Sequence, residues 1–354
     1  MITKKFLIVF SLLIAIGCEK YDVVIRNGMV YDGNGLPPFL ADVAIKGDKI
    51  VLVNETIAEK GSKEIDAKGL AVAPGFINML SWATTSLIQD GRSLSDIKQG
   101  VTLEVYGEGG SMGPLNDSMK KSNQENAAGY TIDWTTLGEY LESLERRGVS
   151  SNVASFVGAT TLRIHEIGFE DRGPTENELN NMRSLVREAM EEGALGIGSS
   201  LIYAPAFYST TEELIELCKV ASEYGGMYIS HMRSESNQLL EALDELITIA
   251  EKANIPAEIY HLKAGGVKNH YKIDLVIEKI AAARERGLDI TADMYTYIAG
   301  ATGLNAHMPP WVQEGGYDNW VERLKDPKIR AKVKKEMTRD AENWENLGFL
   351  AGPD

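Results

Sequence analysis

From residue 74 onward, short apolar runs alternate with longer amphipathic stretches. The runs are Gly75–Met79, Val101–Tyr106, Val153–Val157, Leu195–Gly198, Met227–Ser230, Ala257–Tyr260 and Leu288–Ala292. Strands separated by helices pair in parallel, because a parallel neighbour needs a crossover long enough to hold a helix. The helical stretches carry their own punctuation. Thr175-x-x-Glu178 and Thr210-x-x-Glu213 have the spacing of a capping box. Leu179, Met182, Leu185, Val186, Ala189 and Met190 recur on one helical face, and Gly225 and Gly287 stand where helices should stop. Seven strands favour an α/β (β/α)8 TIM barrel lacking its last strand over an open sheet. After Tyr297 comes a Gly/Pro-rich excursion from Gly300 to Gly316, then helix-like sequence to Trp344.

The segment before the barrel reads differently. Val23-Val24-Ile25, Asn27-Gly28 and Met29-Val30-Tyr31 look like one hairpin; Val43, Ile45, Lys46-Gly47-Asp48-Lys49 and Ile50-Val51-Leu52-Val53 look like a second. Residues 19–73 are therefore expected to be the N-terminal part of a small β-sandwich domain, and 74–354 the incomplete barrel. Residues 1–18 stand apart. Met1 to Lys5 are cationic, Phe6 to Gly17 form an apolar run of twelve, and Ala15-Ile16-Gly17-Cys18 resembles a bacterial lipobox. That run is short for a bilayer span and has signal-peptide proportions, although an uncleaved anchor is the alternative. The expectation is export, to a periplasm or an outer membrane, with lipidated Cys18 as the membrane tether.

Composition limits the function. Net charge is −15, and the one basic run is Lys332-Val333-Lys334-Lys335 on a helix face, so nucleic-acid binding is not expected. Past Cys18 only Cys218 remains, on the apolar face of a helix, so an intramolecular disulfide is excluded and core packing is the reading for this thiol.

Barrel enzymes carry their reactive groups at the carboxyl ends of strands. His231 follows Met227–Ser230 and His261 follows Ala257–Tyr260, thirty residues later and so on the neighbouring strand. Two imidazoles at one height can share a Zn²⁺, one ion per chain. Glu108, ending the run that starts at Val101 and heading a Gly109-Gly110-Ser111 loop, is the candidate third ligand; it also reads as a solvated loop carboxylate. His165, His270 and His307 follow no such pattern and are assigned to surface or loops.

At this point the chain resembles the N-acyl-D-amino-acid deacylases (D-aminoacylases) of the metal-dependent amidohydrolase superfamily. The motifs are "DVVIRNGMVYDGNG", "APGFI", "QGVTLEV", "EEGALGIGSSLIYAPAFYSTTEEL", "YISHMRSE", "YHLKAGG" and "TADMYTYIAGATGL", in order along the chain. The resemblance implies hydrolysis of an amide by a zinc-activated water. It puts His231 and His261 on the metal histidines, and Arg233, Lys263 and Tyr295 near the substrate carboxylate or carbonyl. Three departures follow. The His-x-His pair expected after the Pro-Gly-Phe-Ile stretch is Leu80 and Trp82; Glu108-Gly109 stand where the family has a cysteine ligand; and the strand-eight aspartate that acts as general base falls beyond residue 354.

The expected function is thus a zinc amidohydrolase with an N-acyl amino acid or similar small amide as substrate. Two alternatives stay open: a degenerate barrel that binds a small molecule or partner, and a dihydroorotase- or hydantoinase-like cyclic amidase. The latter is weakened because "ALGIGSSL" offers no lysine. Residues 1–354 alone are expected to be inert for want of the last strand. Trp82 is expected to fill interior space, so that Trp82→His would leave a cavity costing about 3–5 kcal/mol.

Overall fold

In the computed structural model, which describes residues 20–341 and 343–352, Asn27-Gly28 does not turn the chain. It lies within one strand, β1 (Tyr21–Val30), which pairs antiparallel with β2 (Phe39–Lys46) and shifts register between Ile25 and Gly28. The type I′ turn that Asn-Gly favours needs positive φ at both central residues, and Gly28 does not have it. Asn27 has it (φ 59°), and its N–H is held by the Asp42 carboxylate at 2.9 Å, which makes the pair a bulge. The second hairpin is as expected: β2 turns through Gly47-Asp48 into β3 (Lys49–Asn54). β4 (Gly61–Asp66) and β5 (Ala71–Val72) then pair parallel to β1, giving a five-stranded mixed sheet ordered β3-β2-β1-β4 with β5 also on β1. Among the described residues it is one sheet with two small apolar clusters, Tyr21, Val24, Ala44 and Ile57 in one and Val30, Ala41 and Val43 in the other. The unit ends at Gly75, two residues past the expected boundary. The expected leader and Cys18 lie outside the described residues.

In the second unit each of the seven apolar runs holds strand, the third as two short pieces. β6 (Phe76–Asn78), β7 (Val101–Tyr106) and β8 (Asn152–Ser155) form one parallel sheet. β9 (Val157–Gly158), β10 (Gly196–Ser200), β11 (Met227–His231), β12 (Ala257–Ile259) and β13 (Ile290–Ala292) form another, in chain order. Only Phe156 separates β8 from β9. Its N–H donates to Tyr106 O (2.9 Å), and Leu195 N–H donates to Ser155 O (2.9 Å), so hydrogen bonding runs through the break. Both faces are apolar, as parallel sheets require. Val105, Phe156, Ile229 and Tyr260 cluster on one face; Tyr106, Val157, Ile197, Tyr228 and Ile259 pack with the helices on the other.

The helix signals are met with one exception. Helix Glu176–Glu191 has both halves of its capping box. In helix Thr211–Glu223, Thr210 Oγ1 accepts from Glu213 N–H, but the Glu213 carboxylate accepts instead from buried Arg163 (2.7 Å). An unpaired buried guanidinium is costly, so it takes the carboxylate first. Cys218 is buried in that helix, which pushes its thiol pKa up. Among the described residues no helix is long and apolar enough to cross a membrane.

Asp42 is the polar centre of the first unit. Its buried carboxylate accepts from Asn27 N–H (2.9 Å), Ile57 N–H (3.1 Å) and Arg26 Nη1 (3.0 Å). Burial opposes ionisation, but these donors outweigh it and hold the pKa below the ordinary 3.8. A folded-state pKa below the unfolded one stabilises above that unfolded value, and the contribution is lost as pH falls through the folded pKa. Stability of this unit should therefore decline below about pH 4. Asp42→Ala should cost about 2 kcal/mol at neutral pH, because the buried Ile57 amide loses its acceptor while Arg26 keeps Glu64. Hydrogen exchange at the Asn27 and Ile57 amides, with and without the substitution, checks both.

Candidate metal centre

Glu108 reaches the site because the chain leaves β7 through a glycine. Gly107 has φ 109°, and a Cβ built there would lie 2.5 Å from Phe156 O. The neighbouring strand yields as well: a Cβ on Gly198 of β10 would lie 1.9 Å from Gly107 O. Only glycines let the loop cross this closely, and the crossing sets Glu108 above β11.

His231 ends β11 in phase with inward-facing Ile229. His261 arrives differently. Ser230 is in register with Ile259, so the residue beside His231 is Tyr260, which packs in the inner cluster. A regular strand would turn His261 away. Instead His261 has φ 38°, a left-handed conformation unusual for a residue with a Cβ, and its ring swings in beside that of His231, centroids 4.5 Å apart. Asp293, just past β13, pins the kink: its Oδ1 accepts from His261 N–H (2.6 Å), and its backbone O accepts from Leu262 N–H (2.9 Å).

The three side chains meet at one oxygen. Glu108 Oε1 lies 3.0 Å from His231 Nδ1 and 3.2 Å from His261 Nε2, and all three residues are buried. Burial would raise the Glu108 pKa, but the two imidazoles overcome it and hold the carboxyl at about 2. Burial likewise disfavours a charged His261, yet Glu108 and Glu235 push its pKa up to about 9.

Glu235 and Asp293 are partners that the sequence reading missed. Glu235 is buried; its Oε1 lies 2.8 Å from His261 Nδ1, and its Oε2 is 3.6 Å from His231 Nε2, an atom without a hydrogen-bond partner. Desolvation opposes its charge, but His231, His261 and Lys263 hold its carboxyl at about 2. The available signal was its position, four residues beyond a strand-end histidine.

Of the residues expected near a substrate, two stand at the cluster. Lys263 Nζ donates to both Glu235 oxygens (2.7 Å each) and lies 2.9 Å from His261 Nδ1. Tyr295 presents its ring 5.6 Å from Lys263 Nζ and 6.4 Å from the His261 ring, stacked on Tyr297. Arg233 does not join them. Its Nε and Nη2 donate to Glu245 (2.8 Å each), and its Nη groups to Phe207 O and Ser209 O (2.9 Å each). The sequence motif gave its place, not its direction, and its donors are committed to loop structure.

Leu80 is partly buried against the inner cluster, as an apolar replacement should be. Trp82 is not interior filler: it is 67% exposed, and its indole N–H donates to Glu108 Oε2 at 3.0 Å. The cavity cost expected for Trp82→His therefore does not apply, since the ring fills no interior space.

The Arg233 assignment can be tested. Arg233→Ala strands the Glu245 carboxylate and two carbonyls, so it should lower stability in urea unfolding by about 3 kcal/mol. Arg233→Lys should recover only part, because it keeps the charge without the planar fork. An Arg233→Ala protein of wild-type stability would return this residue to a ligand-facing role.

No family model matches the chain. A D-aminoacylase of Alcaligenes xylosoxydans xylosoxydans is 33% identical over 290 residues, 81% of this chain and 59% of that protein. An N-acyl-D-aspartate deacylase of the same organism is 30% identical over 288 residues, 80% and 57%. Among solved structures, a D-aminoacylase with a binuclear metal centre, activated by one metal and attenuated by the second, superposes with TM-score 0.71 at 32% identity, covering 79% of this chain and 59% of that one. The N-acyl-D-glutamate deacylase of Bordetella bronchiseptica, complexed with zinc and a phosphonate mimic of the tetrahedral intermediate, gives 0.70 at 27%, with the same coverage. This chain thus spans just under three fifths of the length of the relatives it matches. By this similarity, which runs through the strands that carry Glu108, His231 and His261, the chain belongs to the N-acyl-D-amino-acid deacylase family of the amidohydrolases.

Proposed function

We propose that the chain is the metal-binding part of a zinc-dependent amidohydrolase that removes the acyl group from N-acyl-D-amino acids. The observation that carries the reading is the convergence of Glu108 Oε1, His231 Nδ1 and His261 Nε2. Donors bound tetrahedrally to zinc at about 2.0–2.1 Å stand roughly 3.3–3.4 Å apart, close to the separations seen here. Two histidines and a glutamate are also a donor set zinc takes in catalytic sites with a position left open. When bound, the ion supplies Lewis-acid polarisation of the scissile carbonyl and lowers the pKa of water.

The chain's own residues do the positioning. Glu235 Oε1 stands 2.8 Å behind His261 Nδ1, on the far side of the ring from Glu108, the place of the outer carboxylate that usually supports a metal-binding imidazole. Lys263 sets a cation beside the cluster, where the α-carboxylate of an N-acyl amino acid would be attracted; Glu235 neutralises part of its field. The reaction takes amide and water to a carboxylate and a free amino acid. The same reading makes the seven parallel strands part of a (β/α)8 barrel. β6 and β13 each have one neighbour in their sheets, so an eighth strand between them would close it. The apolar run before Cys18 supports an exported, lipid-anchored protein. Cys18→Ser should then move it from the membrane to the soluble fraction.

Elemental analysis of the purified chain tests the core of this reading. About one zinc per chain is expected, and Glu108→Gln or His261→Asn should weaken binding by more than about 100-fold, beyond the range of outer contacts. No zinc in the wild-type chain would instead favour a barrel that binds without catalysing. Assay of the full-length protein against N-acetyl-D- and L-amino acids then tests the substrate.

A further inference from the structure

We infer that Trp82 is a positioning residue for the metal centre: its indole N–H holds Glu108 so that one carboxylate oxygen alone faces the two imidazoles. The inference rests on the zinc reading above. It concerns a residue where the resemblance led us to expect a metal-binding histidine.

The two oxygens of Glu108 have different partners. Oε1 lies between His231 Nδ1 and His261 Nε2, whereas Oε2 accepts from Trp82 Nε1 at 3.0 Å. An indole N–H is a donor only and cannot bind a cation. It therefore occupies Oε2 without adding charge, and opposes rotation of the carboxylate into a chelating, two-oxygen arrangement. Core packing does not explain where the ring sits, because Trp82 is 67% exposed.

Its backbone is held firmly nonetheless. Ser81 N–H donates to Val105 O (2.9 Å), tying the segment after β6 to the strand that carries Glu108. Ser81 Oγ donates to buried Glu104 (2.8 Å) and accepts from Ala83 N–H (3.2 Å), which fixes the turn on either side of Trp82. The indole thus projects from a braced turn onto the free oxygen. Outer contacts of this kind typically contribute about 10- to 100-fold in metal affinity.

The test uses the full chain, zinc and Co²⁺. Trp82→Phe keeps a ring and loses the N–H; Trp82→Gln restores an N–H at the same number of bonds from Cβ. Competition with a chromophoric chelator should show zinc affinity falling about 10- to 100-fold in Trp82→Phe, with most of the loss recovered in Trp82→Gln. Circular dichroism should be unchanged, since the residue is exposed. The visible absorption of the Co²⁺ form should weaken in Trp82→Phe, as a second Glu108 oxygen raises the coordination number. Equal affinity in Trp82→Phe and wild type, or a Trp82→Gln protein as weak as Trp82→Phe, would overturn the role of Trp82 and leave the metal reading standing. A wild-type chain that takes up no zinc overturns both.

Discussion

A carboxylate that is buried and ionised needs compensation from every side, and Glu108 is the group on which the site's arrangement turns. Burial alone would neutralise it. Two imidazoles keep it charged, and an indole N–H satisfies its other oxygen. Each must arrive from a different strand end, so the requirement spreads into the fold. It explains a glycine exit from β7 and a glycine on β10 that tolerates the crossing. It also explains the left-handed kink at His261, which a lone strand would not adopt and which Asp293 holds from the next strand. Strain of this sort persists where the surroundings over-determine it.

The compensation continues outward in alternating sign. Glu235 answers His261, and Lys263 answers Glu235. Glu345 then accepts from Ser234 Oγ, Ser236 Oγ and Glu235 N–H. Burial, followed by the charge of Glu235, pushes the Glu345 carboxyl up from its ordinary value. These contacts tie sequence beyond Trp344 to the loop after β11. This segment, just past the helix-like sequence, therefore braces the loop that carries Glu235.

The parallel strands of the second unit were legible because parallel strands buried on both faces leave continuous apolar runs, and each run is a strand or lies beside one. Met227–Ser230 extends by one residue to His231; Leu288–Ala292 shortens to Ile290–Ala292. Periodicity could not show direction. Asn27-Gly28 has the composition of a turn, but the Asp42 contact, fifteen residues away, makes it a bulge. Arg233 stands beside the site in sequence and faces Glu245 in space. The strand-end rule found His231 for the right reason. It reached His261 although strand alternation alone would have pointed that ring away. Glu235 and Asp293 were hidden because their roles come from tertiary contacts, which neither spacing nor composition encodes.

The departures at positions 80, 82 and 108 fit one change better than three separate losses. The cysteine that the resemblance places near Glu108 would offer a single ligand atom. A glutamate brings two oxygens, and the second, in a buried site, must find a donor or a second cation. Leu80 packs into the inner cluster and offers no ligand, which removes the second cation as a solution. Trp82 supplies the donor in the same stretch of chain, two residues on. Exchanging the thiolate for a carboxylate and the histidine for an indole is therefore mutually consistent: each substitution alone would leave a buried oxygen unpaired or a donor unused, and together they satisfy the carboxylate with the chain's own atoms.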